Sequence, residues 1–313
     1  MEISFSVIIP LYNKAPYIER AVKSVLSQDY PHFEIIVVND GSSDGGEKIV
    51  TKLEDERLKL VSQKNAGVSA ARNTGAKEAQ YEYLAFLDGD DTYEPNFLSE
   101  IIKLIGNFPN AGIYGTSNSF IYPNGKKVAE DFSYLFNGKE QGLLEDYFGL
   151  FAQIQKSPFS NSNLCIPKKI YQEFGGYKVG VKLTEDSDLW CRIALKYDVA
   201  FSIKPLANYY LDISGSTVGI FEPHEFQVSK TLRNALINKT VAKKYIPSVK
   251  KLIVFQKLSL IKRALLTGHK SFALSKMADF EIFRTYPKEY IQSAIALVIP
   301  KKIFDIIRKA KHN

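Results

Sequence analysis

Four apolar, β-branched runs recur at intervals of about 25 residues in the first third of the chain: FSVIIPLYN from Phe5, FEIIVVND from Phe33, LKLVSQ from Leu58 and YLAFLDGDD from Tyr83. The segments between them carry helical patterns. Ile18, Ala21, Val22, Val25 and Leu26 repeat at i, i+3, i+4, i+7 and i+8, and GVSAARNTGAKEAQ is rich in helix formers. Strands that alternate with helices build right-handed βαβ units, and so a mostly parallel sheet covered by helices on both faces. Sheets of this kind bind ligands beyond the carboxyl ends of their strands.

Those strand ends are polar. The first carries Pro10 to Asn13 (PLYN), the second Asn39 to Gly45 (NDGSSDG), and the fourth places Asp88, Asp90 and Asp91 within four positions. Carboxylates that close repel one another, so a folded chain keeps them at a solvated edge or opposite a cation. Taken alone the cluster reads equally as a turn, with Asp91-Thr92 capping the helix that EPNFLSEIIKLIGNF predicts. Convergence of three strand ends on one edge favours a nucleotide or metal site.

Beyond Asp91 the pattern predicts a hairpin turning at Pro123-Asn124-Gly125 and a short strand in NSNLCIPKK. A loop then leads into a helix from about Thr184, with Leu189, Ile193 and Ala194 toward a core, and DVAFSIKPLANYYLD forms a closing strand. After about Phe221 the chain reads as helical. Residues 1–221 are therefore assigned to an α/β domain and 222–313 to a helical extension. Charge divides at the same place: 22 basic and 28 acidic side chains before it, a net −6, and 19 and 6 after it, a net +13. A positive extension on an acidic body points to an anionic surface as partner.

No stretch approaches the roughly 18 apolar residues of a membrane-spanning helix, and the acidic N-terminus running straight into a strand is not a signal-peptide pattern. Cys165 and Cys191 lie in apolar segments without metal-ligand spacing, which suits buried free thiols in a reducing compartment. The four histidines show no pairing.

Taken together, SVIIPLYNKAPYIERAVKSVLSQDYPHFEIIVVNDGSSDG, NAGVSAARNTGAKEAQYEYLAFLDGDD and EDSDLW resemble the inverting family 2 glycosyltransferases of the GT-A fold, a Rossmann-like α/β architecture. The resemblance covers residues 3–95 closely, extends through about 212, and says little of the last hundred residues. It implies a nucleotide-diphosphate sugar donor, a UDP-sugar first among them. It implies that Asp88 and Asp90 form the Asp-x-Asp pair holding Mn²⁺ or Mg²⁺ against the donor diphosphate, and that Pro10, Tyr12, Asn13 and Asp40 hold base and ribose. Arg72 matches an arginine near the nucleotide and would contribute fixed positive charge there; a solvated helix charge is its lesser alternative. The family's general base falls on Asp186 of TEDSDLW, with Asp188 as its rival, although carboxylates behind an N-cap such as Thr184 also suit a helix dipole. The resemblance further implies a glycan or polyprenyl-diphosphate-linked acceptor, and a cytoplasmic enzyme peripheral to the inner face of the cell membrane.

Two other classes compete. DGDDT, Asp88 to Thr92, satisfies the Asp-x-Asp-x-Thr pattern of haloacid-dehalogenase-type phosphatases, although that nucleophile normally follows the first strand. A non-enzymatic basic protein bound to membrane or nucleic acid would use the +13 extension, whose few aromatic residues lack a base-stacking arrangement; no nucleic-acid partner is expected. Near the C-terminus Ile291, Ile295, Leu297, Val298, Ile299, Ile303, Phe304, Ile306 and Ile307 interleave with Lys301, Lys302, Arg308, Lys309 and Lys311, broken by Pro300. That pattern is expected to lie in the headgroups of an anionic leaflet.

Overall fold

The computed structural model describes residues 2–211 and 224–298. It divides into two compact units, Met1–Tyr147 with Ser157–Ser214 and Phe148–Lys156 with Gly215–Asn313. The expected boundary after Phe221 and the basic residues beyond Val298 lie outside the described residues.

In the first unit the periodic runs fold as strands β1 (Phe5–Leu11), β2 (Phe33–Asn39), β3 (Leu58–Ser62) and β4 (Tyr83–Phe86), joined by helices α1 (Ala15–Leu26), α2 (Gly46–Thr51) and α3 (Val68–Glu78). There follow β5 (Thr92–Tyr93), α4 (Phe97–Asn107), β6 (Ile113–Ile121), β7 (Lys127–Ala129) and β8 (Gln141–Leu143), then α5 (Tyr147–Ile154), which from Phe148 on belongs to the second unit, and again in the first unit β9 (Leu164–Pro167), α6 (Lys168–Glu173), α7 (Glu185–Ala194) and β10 (Val199–Tyr210). One sheet has the order β3-β2-β1-β4-β9-β6-β10-β5, with β7 on β6 and β8 on β10. The β3-β2-β1-β4 half is parallel. Strand β9 runs antiparallel between β4 and β6, and β10 runs parallel to β6.

Burial explains the apolar runs. Val7, Ile8 and Ile9 of β1 and Ile35 to Val38 of β2 are fully buried, so both faces of the sheet are covered; each such side chain contributes about 1.5–3 kcal/mol. Ile18, Ala21, Val22 and Val25 form the buried stripe of α1, as their spacing predicts. Helix α3 approaches β1 so closely that a Cβ on Gly75 would stand 2.4 Å from Ile8 Cγ2. Cys165 and Cys191 are buried free thiols.

Two local expectations resolve differently. Thr92 and Tyr93 pair with β10 instead of capping a helix, and α4 begins at Phe97. Thr184 precedes α7 in left-handed backbone, φ 63°, and its side chain accepts no capping hydrogen bond. That conformation is uncommon for a β-branched residue and costs of order 1–3 kcal/mol.

The second unit is helical: α8 (Gln227–Ile237), α9 (Ile246–Leu266), α10 (Lys270–Met277), α11 (Phe280–Thr285) and α12 (Pro287–Val298). Helix α9 is its axis, with Val249, Leu252, Leu258 and Ile261 buried against the others. Residues 148–156 belong to this unit because Phe151 packs on Phe255 and the Tyr286 hydroxyl donates to the Ala152 carbonyl at 3.0 Å. Among the described residues no helix is long and apolar enough to cross a membrane.

Candidate active site

The carboxyl ends of β1, β2 and β4 meet at one edge of the sheet. The turn after β4 closes when the Asp91 amide donates to the Asp88 carbonyl at 3.0 Å. Gly89 lets that turn settle on β1, since a Cβ there would lie 3.0 Å from the Pro10 carbonyl oxygen. The three crowded carboxylates are managed in different ways. Asp88 Oδ1 accepts from Arg72 Nη2 at 2.6 Å, and Asp90 Oδ2 accepts from Lys14 Nζ at 2.6 Å. Asp91 is 2% exposed and accepts from the Ser162 hydroxyl at 2.5 Å and the Tyr210 amide at 3.2 Å. Burial, then the charges of Asp88 and Asp90, raise its pKa well above the usual carboxylate value, against the opposing hydrogen bonds from Ser162 and Tyr210. Two ion pairs and one buried, hydrogen-bonded carboxyl are how a buried strand ends in three acids.

Arg72 is no solvated helix charge. It is 3% exposed, lies 5.2 Å over the Tyr177 ring, and reaches Glu185 at 3.5 Å as well as Asp88. Helix α3 presents it to the turn after β4, and α7 brings Glu185 from the far half of the chain. A buried guanidinium keeps its charge and so fixes positive potential at this edge.

At the start of α7 the three acids of TEDSDLW separate by environment. Asp188 is fully buried and paired with Arg192 Nε at 2.9 Å and Lys178 Nζ at 3.2 Å, while Arg192 Nη2 donates to the Gly176 carbonyl at 2.8 Å. It braces the Gly175-Gly176 bend to the helix. Asp186 is half-buried, has no charged partner within ion-pair distance among the described residues, and accepts from the Ser187 amide at 2.5 Å. Burial raises its pKa, against the opposing Ser187 hydrogen bond and Arg72 charge. Glu185 is pushed up to about 7, by burial first and by Asp186 second, with Arg72 pulling the other way.

The loops after β1 and β2 are joined to each other. Asn13 Oδ1 accepts the Ser43 amide at 2.9 Å, the Asn13 amide donates to Ser42 Oγ at 3.2 Å, and the Ala15 amide donates to Asp44 Oδ2 at 2.7 Å. Asp44 thus supplies from the neighbouring loop the cap that Lys14, at the N-terminus of α1, does not provide. The Asp40 carboxylate accepts from Gln63 Nε2, the Ala66 amide and the Gly67 amide at 2.7, 2.9 and 2.9 Å, which fixes the approach to α3. Pro10 is half-buried at the end of β1, and Tyr12 stands 50% exposed beside it.

The predicted residues therefore gather at one sheet edge, Pro10 at the end of β1, Tyr12, Asn13, Asp40, Asp88 and Asp90 on the loops beyond the strands and Arg72 on α3, and Asp186 adjoins Glu185, which Arg72 joins to Asp88. Sequence reasoning missed Lys14 as the partner of Asp90, Ser162 as the partner of Asp91, and Asp44 as a cap. Each pair is separated by about 30 residues or more in sequence, and no local spacing announces it. Trp190 of α7 is wholly buried and belongs to the core.

Asp88 and Asp90 each keep one carboxylate oxygen outside their ion pairs, hard donors suited to Mg²⁺ or Mn²⁺. Among the described residues no three His, Cys, Asp or Glu side chains are grouped as a metal cage. A cation here fits on condition that a bound diphosphate and water complete its shell.

Residues 6–165 match the family model described as glycosyl transferase family 2. The chain belongs to that family. Among curated relatives of this family 2 chain, an uncharacterized glycosyltransferase of Rickettsia bellii is 30% identical over 191 residues, covering 60% of this chain and 27% of its own length. The putative teichuronic acid biosynthesis glycosyltransferase TuaG of Bacillus subtilis is 43% identical over 103 residues, covering 32% of this chain and 41% of its own length. The chain spans about 30% of the length of the first Rickettsia relatives it matches. Among solved structures, S. aureus TarS 1–349 in complex with UDP-GlcNAc aligns with TM-score 0.65 at 20% identity, over 93% of this chain and 92% of that one. The mannosyltransferase PcManGT of Pyrobaculum calidifontis, in complex with GDP-Man and Mn²⁺, aligns with TM-score 0.61 at 17% identity, over 97% and 83%. These likenesses show the GT-A fold.

Proposed function

We propose that residues 1–221 form a catalytic domain that transfers a sugar, with inversion, from a nucleoside-diphosphate sugar to an acceptor hydroxyl. The observation that carries this reading is the buried Arg72 joining Asp88 of the turn after β4 to Glu185 of α7, which brings a diphosphate-facing edge next to Asp186. In this reading Tyr12 stacks on the base, and Pro10, Asn13 and Asp40 shape the base and ribose pocket. Arg72 and Lys14 offset the negative charge of the diphosphate, and Asp88 and Asp90 hold the divalent cation. When bound, that cation neutralises charge on the leaving group.

Asp186 is the general base. It takes the proton from the acceptor hydroxyl as that oxygen bonds to the anomeric carbon, and the carbon–phosphate oxygen bond breaks with its electrons leaving on the diphosphate. A carboxyl whose pKa is raised by burial accepts a proton more readily than a solvated one. Asp188 is spoken for by Arg192 and Lys178. Family membership gives no support to the phosphatase alternative.

The donor is read as a UDP-sugar, supported by the TarS complex with UDP-GlcNAc. The acceptor is read as a glycan, carried on polyprenyl diphosphate and destined for the cell surface, supported by the printed role of TuaG. Ile291, Ile295 and Val298 stand 50%, 51% and 80% exposed at i, i+4 and i+7 on α12. With the basic extension, that face supports peripheral binding to an anionic leaflet on the cytoplasmic side.

The test is a turnover screen of nucleotide sugars with Mn²⁺, paired with thermal unfolding. A donor that binds the folded state raises the melting temperature by mass action, by about 2.7 kcal/mol of stability at a hundredfold excess over Kd. Neither turnover nor stabilisation with any UDP- or GDP-sugar would overturn the reading.

A further inference from the structure

The helical unit holds a cavity of about 520 Å³ among α8, α9, α10 and the start of α11, within the range of about 300–1,000 Å³ typical of small-molecule sites. Phe226, Ile253 and Leu260 give it an apolar floor. Set into that floor are the Ser229 hydroxyl and the Gln256 amide, on residues only 2% and 4% exposed. Neither side chain is engaged by another side chain or carbonyl of the described residues. Both therefore face the cavity and keep their hydrogen-bonding capacity for whatever occupies it.

The rim sorts its charges in two ways. Glu225 pairs with Arg233 and Lys257 with Asp279, each at 2.6 Å, which holds two carboxylates in fixed positions with lone pairs to spare. Lys250 and Lys276 have no carboxylate partner among the described residues. An apolar floor beside an amide, a hydroxyl and anchored carboxylates matches a sugar ring, which has one C–H face and a fringe of hydroxyls. Two ammonium groups without a carboxylate partner, Lys276 resting 5.5 Å over the Phe272 ring, match an anionic substituent on that ring.

We propose that this cavity binds a single sugar unit that carries a negative charge, at a place separate from the donor site of the first unit. The inference does not depend on which donor or acceptor the first unit uses.

The experiment is isothermal titration of the full chain, with saturating UDP present, against galacturonic acid, glucose 1-phosphate and the neutral methyl glucoside. Binding of either acidic sugar at least about tenfold tighter than the neutral one, weakened by salt, is expected; which acid is preferred tells carboxylate from phosphate. Lys250→Ala, an exposed change that leaves the fold alone, should weaken that binding about tenfold, and Gln256→Met should weaken it with the melting temperature recorded alongside. Equal binding of neutral and acidic sugars, affinity unchanged in Lys250→Ala, or no binding of either acid would overturn the proposal. If UDP itself fails to bind, the donor-site reading fails and this titration is judged unchanged.

Discussion

Replacing Glu185 with glutamine isolates the electrostatics of α7. In the folded chain burial and the neighbouring Asp186 raise the Glu185 carboxyl from 4.5 to about 7. The folded state therefore binds a proton between those values that the unfolded state has released, and stability falls as pH rises. At 1.36 kcal/mol per pKa unit the loss approaches roughly 3 kcal/mol, full above about pH 7 and absent below about 4.5. Glu185 is 14% exposed at the side chain, so solvent screens little of this. Glu185→Gln keeps the shape and a hydrogen bond for Arg72 but has no proton to bind. The variant should exceed the wild type by less than about 1 kcal/mol near pH 5 and by roughly 3 kcal/mol near pH 8. The assay is urea unfolding at several pH values followed by the fluorescence of Trp190, the single tryptophan, which is fully buried in the same helix. Asp186 and Asp91 also titrate, in both proteins, so the difference between the two curves is the quantity to read. A difference that stays flat from pH 5 to 8 would refute the reasoning.

Asp90→Ala should abolish transfer while keeping the fold, because it removes an acid from a crowded turn; full activity in the variant, or in the wild type with excess chelator, would reject the metal role. Asp186→Asn should lower turnover by roughly two to four orders of magnitude with donor binding nearly unchanged. Asp188→Asn should instead cost roughly 3–5 kcal/mol in unfolding experiments, since it breaks a buried pair; the reverse pattern would move the base by two residues. Changing Ile291, Ile295 and Val298 together to asparagine should weaken salt-sensitive binding to anionic vesicles in a flotation assay, with transfer to a soluble acceptor retained; vesicle binding equal to wild type would exclude that face.

The parallel half of the sheet and its helices were legible because their apolar periods repeat without interruption from Phe5 to Phe86. The reversed strand β9 was not: Leu164 to Pro167 is a short apolar run whose composition carries no direction, and its place between β4 and β6 is set by long-range pairing. In the candidate site, residue types that mark chemistry by themselves, such as Asp88 and Asp90, could be named from the chain alone. Arg72 could not be told from a surface charge, since a helical position shows neither its burial nor its partner. The same holds for Thr184, whose identity suggests a cap but whose backbone is turned left-handed by the loop before α7.

The shared fastening of the loops after β1 and β2 bears on how such a domain can be altered. Asn13, Ser42, Ser43 and Asp44 tie the two loops together, and the first turn of α1 is completed only by a side chain from the other loop. Neither loop is an interchangeable part. A graft meant to change nucleotide preference has to carry residues 12–15 and 40–46 as one cassette, because exchanging either alone leaves the Ala15 amide without its carboxylate and the helix start unfastened.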